Sequence, residues 1–192
     1  MAQNPLAHDP VLNKLFHQFQ TRQYWGGRKG HFLDLVEIVT GQQLSMKAAK
    51  SIFDRFLTLY GGNPTPEVVL ATPDEKLRSV GFSGSKVGYV KNIASAVAGG
   101  DLDLEHLATT SDEEIHKTLT KIKGLGPWSV DMFLIFSLKR PDVFSVGDLG
   151  LRSAIEKLYG IRRDDKKAIL TLAETWRPHR TLACRLLWSS LE

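Results

Sequence analysis

The sequence predicts an all-α fold, on three observations. Apolar residues recur at spacings of three and four, alternating strand-type runs are missing, and Gly, Pro and capping residues punctuate the helical stretches. The first periodic run, Phe32, Leu35, Val36 and Val39, is followed by Gly41, which can end a helix. Ser45 is a suitable N-cap for the second run, Ala48, Ala49, Ile52, Phe53, Phe56 and Leu57, which Gly61-Gly-Asn-Pro64 stops. Pro66-Glu-Val-Val-Leu70 and Thr72-Pro-Asp-Glu75 read as short helix starts, the latter with Thr72 as N-cap and Pro73 at the first helical position. Further helices are expected at about 86–98, 112–122, 128–138, 149–159, 164–175 and 178–190.

Composition narrows the class. With 192 residues, 42% of them hydrophobic and 24% charged, the chain can bury a core and is not disordered. Its one cysteine, Cys184, excludes an internal disulfide, a four-cysteine zinc site and an iron–sulfur cluster, and suggests a reducing compartment. The start has neither a basic n-region nor an apolar h-region, and no stretch approaches the roughly 18–20 apolar residues that cross a bilayer. We therefore expect a soluble intracellular protein, in cytoplasm and nucleoid if prokaryotic or in the nucleus if eukaryotic, with no membrane partner. A net charge of +4, from 25 Lys and Arg against 21 Asp and Glu, favours a polyanionic partner without establishing one. The six histidines show no paired metal-ligand spacing.

One internal echo stands out. Leu77-Arg-Ser-Val-Gly-Phe-Ser-Gly-Ser-Lys86 and Leu119-Thr-Lys-Ile-Lys-Gly-Leu-Gly-Pro-Trp128 both read helix, glycine turn, helix. Either segment could be only a tight turn needing positive φ. In the second, Gly124 and Gly126 let the chain reverse and Pro127 opens a helix whose first N–H groups lack intrahelical partners. Without side chains on the two glycines, a phosphate could approach the backbone, helped by Lys121 and Lys123. Gly126 is expected to occupy a backbone region unfavourable to a bulkier residue.

Lys123-Gly-Leu-Gly-Pro-Trp-Ser-Val130, followed by Asp142-Val-Phe-Ser-Val-Gly-Asp-Leu-Gly-Leu151, resembles the helix-hairpin-helix, Gly/Pro-rich loop and aspartate signature of the HhH-GPD superfamily of DNA glycosylases, nearest the DNA-3-methyladenine glycosylase II (AlkA-like) family. Ile38-Val-Thr-Gly-Gln-Gln-Leu-Ser45, Gly81-Phe-Ser-Gly-Ser-Lys86 and Thr175-Trp-Arg-Pro-His-Arg-Thr-Leu-Ala183 extend the resemblance over about residues 32–190. It implies two helical subdomains flanking a DNA-binding cleft: about 33–134, with the hairpin at about 112–138, and about 1–32 plus 135–192. Asp148 would sit at the cleft.

The resemblance makes Asp148 the essential carboxylate, although by position it could be only the N-cap of the helix that follows. The implied reaction is hydrolysis of the N-glycosidic bond of alkylated purines, such as 3-methyladenine and 7-methylguanine, rotated out of duplex DNA. Sibling glycosylase/lyases carry a lysine at the start of the second hairpin helix. Trp128 stands there instead, which implies a monofunctional enzyme. Trp128 and Trp188 would line the base pocket, with helix packing as the ordinary alternative for each, and Met132 would line it or belong to the core. One amide of Gln42 or Gln43 would meet a base edge or the DNA backbone, or else satisfy a turn, and Gln43 is the one counted among the pocket residues. Trp25, beside Tyr24, reads as core.

Lys123, Gly124, Gly126 and Ser129 in one hairpin, with Gly84, Ser85 and Lys86 in the other, would contact DNA. A plug for the vacated stack would have to come from Phe82, because Ser83, Gly84 and Ser85 are small. No cofactor is required. The resemblance allows a structural Na⁺ or K⁺ at the main-chain oxygens of Thr120, Ile122 and Leu125. The expected partner is double-stranded DNA with alkylated bases, bound by a monomer. Two rival readings are a non-catalytic DNA-structure binding module that keeps the hairpin, and a sibling glycosylase for oxidised or deaminated bases.

Overall fold

The computed structural model describes residues 4–19 and 30–191; Tyr24 and Trp25 lie outside them. Among the described residues every regular element is helical. The chain divides into two compact units, Gly26–Phe133 and Met1–Trp25 with Leu134–Glu192.

In the unit Gly26–Phe133, α2 (His31–Gly41) is the central element. Leu35, Val36, Ile38 and Val39 are all buried, and so are Asp34 and Thr40, so the helix is buried nearly all round. Around it pack α3 (Met46–Leu59), α6 (Gly84–Ala98), α7 (Leu104–Leu107) and α9 (Pro127–Met132). Ser45 caps α3 and Ser83 caps α6, each hydroxyl accepting the amide N–H three residues on at 3.3 Å. Phe53, Phe56 and Phe82 stack into the core, Phe56 lying 5.9 Å from Phe53 and 5.5 Å from Phe82 between ring centres.

Two shorter helices, α4 (Pro66–Ala71) and α5 (Asp74–Ser79), brace α6, aided by an ion pair between Lys91 and Asp74. Thr72 is not the cap of α5. Its hydroxyl donates back to Val68 O at 2.8 Å and accepts Tyr60 OH at 2.9 Å, so Thr72 closes α4, and α5 starts one residue late with Pro73 at the cap position.

The expected helix at 112–122 stops sooner, as α8 (Asp112–Leu119), because the Thr120 hydroxyl and the turn that follows take over its last carbonyls. The helix expected at 128–138 is α9, running directly into a π-helical turn, Phe133–Ser137.

The other unit gathers α1 (Pro10–Phe19), α10 (Leu149–Tyr159), α11 (Lys166–Glu174) and α12 (Arg180–Ser189) around Leu12, Leu151, Ile155, Ile169, Trp176 and Leu187. Helix α1 was missing from the expected set, yet its signal is local: Asp9 caps it through Oδ1 to the Val11 and Leu12 amides, Pro10 opens it, and Leu12 and Leu15 are buried. The other oxygen of Asp9 accepts Tyr159 OH and Trp176 Nε1, each at 2.9 Å. Burial, followed by that carboxylate, pushes the Tyr159 phenol far above its ordinary value.

Candidate active site and nucleic-acid interface

The hairpin between α8 and α9 is built from short-range hydrogen bonds. Ile122 N–H reaches Leu119 O and Leu125 N–H reaches Ile122 O, both at 3.0 Å. Gly124 has φ +114, and a Cβ there would collide with the Tyr89 ring of α6. Gly126 corrects the expectation made of it: φ is −92 and ψ 175, open to any residue, and a Cβ there would meet nothing within 4 Å. Its side is empty and exposed, so nothing inside the protein demands glycine at 126.

Gln42 clamps this turn from the end of α2. Its Nε2 donates to Gly124 O and to Ser129 Oγ, both at 2.9 Å, while Asn92 Nδ2 holds Lys123 O at 3.0 Å. Ser129 is therefore corrected as a side-chain DNA contact: it is 2% exposed and its hydroxyl accepts Gln42. Lys86 also turns inward, its Nζ donating to Thr40 O at 2.6 Å and Gln42 O at 3.0 Å. Burial pulls its ammonium below the ordinary lysine value. The lysine thus closes the C-terminus of α2 instead of projecting from the surface.

On the outside remain Lys121, Lys123, Gly126, Gly84 and Ser85. The Arg78 guanidinium lies beside Gly84, 3.3 Å from where a Cβ would stand, at the start of α6. Gln43 is exposed in a left-handed conformation, φ +58. Trp128 is half-buried in the first turn of α9, whereas Met132, 3% exposed, is corrected from pocket lining to core. Phe82, 4% exposed and packed on Phe56, cannot serve as a plug.

Asp148 lies in the other unit, at the N-cap of α10. Its Oδ1 accepts Leu151 N at 2.8 Å and Trp188 Nε1 at 3.0 Å. The Trp188 indole stacks on Phe136 at 5.5 Å between ring centres. The loop that delivers Asp148 is tied to the start of α12: Arg180 Nε and Arg177 Nη1 grip the two oxygens of Asp142 at 2.8 and 2.7 Å, and Thr181 Oγ1 accepts Val143 N at 3.1 Å. Burial works against the Asp142 carboxylate, but the Arg180 hydrogen bonds and the two guanidinium charges outweigh it and hold it below the usual carboxylate range.

The chain that carries this glycine hairpin and this aspartate-capped helix is matched by known proteins. Residues 36–178 match the family described as HhH-GPD superfamily base excision DNA repair protein. The chain belongs to that family. It is 38% identical over 167 residues to DNA-3-methyladenine glycosylase 1 of Schizosaccharomyces pombe, covering 85% of this chain and 73% of that protein. Among solved structures, the S. pombe 3-methyladenine DNA glycosylase Mag1 in complex with abasic DNA superimposes with a TM-score of 0.85 at 36% identity, over 94% of this chain and 89% of that one. The DNA-3-methyladenine glycosidase of Bacillus halodurans gives 0.79 at 35% identity, over 96% and 86%.

In this HhH-GPD protein, reading the sequence missed the exposed apolar side chains of Leu44 and Met46, 40% and 50% exposed, on the turn that Lys86 and Gln42 hold. Leu44 directly after two glutamines, with Met46 two residues further on, was the available signal. Among the described residues, no group of three or more His, Cys, Asp or Glu side chains could hold a metal ion, and no helix is long and apolar enough to cross a membrane.

Proposed function

We propose that this chain releases alkylated purines from duplex DNA through Asp148, leaving an abasic site and an intact strand. It is a base excision repair glycosylase of alkylated bases. The observation that carries the assignment of Asp148 is the pair of hydrogen bonds that fixes its Oδ1 at the head of α10. A carboxylate held so, beside a sugar whose C1′ becomes cationic as the glycosidic bond breaks, stabilises that cation and orients the water that adds to C1′. The base departs with the bonding electrons, and an alkylated purine, already cationic, leaves neutral without a general acid. The proton lost by the water passes to Asp148 or to solvent.

Trp128 offers an aromatic face to an electron-poor base. It also stands where a lyase needs an amine, which supports the monofunctional reading. Lys121, Lys123 and the open side of Gly126 grip backbone phosphate, and Gly84 and Ser85, with Arg78 beside them, form a second such contact. Leu44 enters the stack that the flipped base vacates, the role for which Phe82 is too buried. The main-chain oxygens of Thr120, Ile122 and Leu125 fit a monovalent cation in one respect: Ile122 O accepts the turn's own Leu125 N–H through one lone pair and has a second to offer. The ion would add positive charge near a phosphate. A monomeric, intracellular enzyme completes the reading.

The test is chromatographic detection of 3-methyladenine and 7-methylguanine released from methylated duplex by the wild type and Asp148→Asn. Release by the wild type alone supports the assignment. Wild-type rates in the variant would sink it. DNA binding with no release from any methylated duplex would indicate a binding module, and release only from oxidised or deaminated duplexes a sibling specificity.

A further inference from the structure

We propose that Trp188 is a positioning residue that aims the Asp148 carboxylate through its indole N–H, and that Gly150 lacks a side chain so that the indole can reach it. The inference rests on the catalytic reading of Asp148. Oδ1 receives two donors of different origin: the Leu151 amide, at 2.8 Å, belongs to the helix that Asp148 caps, and Trp188 Nε1, at 3.0 Å, arrives from α12. One donor alone lets a carboxylate swing about the hydrogen bond. Two donors on one oxygen fix the plane of the group and therefore the direction of its second oxygen.

The indole is itself immobilised. It stacks on Phe136 with 29° between the ring planes, and Phe136 sits in the π-helical turn Phe133–Ser137. Such turns inside helices are rare and are found frequently at functional sites. Trp188 thus has a face used for packing and a polar edge used for the carboxylate, which a role as base-pocket lining alone does not require.

Gly150 supplies the second, independent observation. It lies in the first turn of α10, with no positive φ to call for glycine, and glycine is a poorer helix former than alanine. A Cβ there would stand 3.1 Å from Asp148 Oδ1, 3.5 Å from Trp188 Cδ1 and 3.6 Å from Leu191 Cδ1. The missing methyl group is the space through which the carboxylate and the indole meet. A methyl group at 3.1 Å from Oδ1 is tighter than ordinary contact, so the carboxylate has to shift by a few tenths of an ångström, and the bond to the indole is expected to lengthen.

The experiment replaces the Trp188 N–H with sulfur, as Trp188→3-benzothienylalanine, in the full chain. That change keeps ring size and stacking and deletes only the donor. Single-turnover release of 7-methylguanine from a duplex, and the Kd for the same duplex, are compared with wild type, Trp188→Phe, Gly150→Ala and Asp148→Asn, with circular dichroism to show that each is folded. Loss of one hydrogen bond to a charged acceptor predicts a rate about tenfold lower or more, with Kd within about twofold. Gly150→Ala should slow release similarly, and combining it with the sulfur variant should add little, because both act on one carboxylate.

A folded sulfur variant that releases base at the wild-type rate overturns the proposal, as does full additivity with Gly150→Ala. If Asp148→Asn is inactive in the same series, only the positioning role has failed. If Asp148→Asn is as fast as wild type, the catalytic reading has failed and the proposal with it.

Discussion

The side-chain amide of Gln42 donates at 2.9 Å to both the Gly124 carbonyl and the Ser129 hydroxyl, so the hairpin's shape is set by a residue more than eighty positions earlier in the chain. Gln42→Ala leaves the half-buried Gly124 carbonyl and the buried Ser129 hydroxyl without their donor. We expect a loss of about 1–3 kcal/mol in stability and a weaker grip on lesion-free and lesion-bearing duplex alike. Chemical denaturation and a binding titration on both duplexes check this. A loss confined to damaged DNA would instead place Gln42 on the base.

The two hairpin glycines should fail in different ways. Gly124→Ala meets the Tyr89 ring and a φ of +114, so it should destabilise the fold by more than 1 kcal/mol. Gly126→Ala has an ordinary backbone and open space, so its melting temperature should match wild type while its DNA affinity falls. A Gly126→Ala protein with wild-type affinity would mean that no phosphate approaches that position.

Asp142 ties the loop of Asp148 to Arg177 and Arg180, and its carboxyl is held below the usual carboxylate range. A lowered folded value means the stabilisation is fully present above the unfolded value, about 3.9, and disappears as pH falls through the folded one. Asp142→Asn should therefore lower the melting temperature most at neutral pH, with the gap to wild type closing below about pH 3.9. A gap that stays constant from pH 7 to pH 3 would show that the ion pairs contribute nothing.

Leu44 and Phe82 separate insertion from packing. Leu44→Ala should leave stability near wild type and slow base release from duplex, with a smaller effect on a mismatched duplex that opens more easily. Phe82→Ala should cost about 3–5 kcal/mol of stability, as expected for emptying a buried aromatic site. Equal rates for Leu44→Ala and wild type on both duplexes would remove Leu44 from the stack.

Much of this protein is written in local patterns. The three-and-four spacing of Leu35, Val36 and Val39, the serines at 45 and 83, and the aspartate heading α10 announce their helices because each involves residues within about four positions of one another. Even α1, which is not among the expected helices, carries such a signal in Asp9-Pro10. Asp148 was legible as a cap from sequence and as a catalytic candidate from family resemblance, and its cap hydrogen bond is present.

What the tertiary structure decided are the partners that lie far along the chain. Gln42 rather than Gln43 faces the hairpin, Lys86 points at α2 rather than outward, Phe82 is buried against Phe56, and Trp188 turns its N–H to Asp148. Neighbouring glutamines and exposed-looking lysines have the same composition whichever way they point. Their direction is chosen by which buried carbonyl would otherwise go without a donor, and that is known only once the helices are packed.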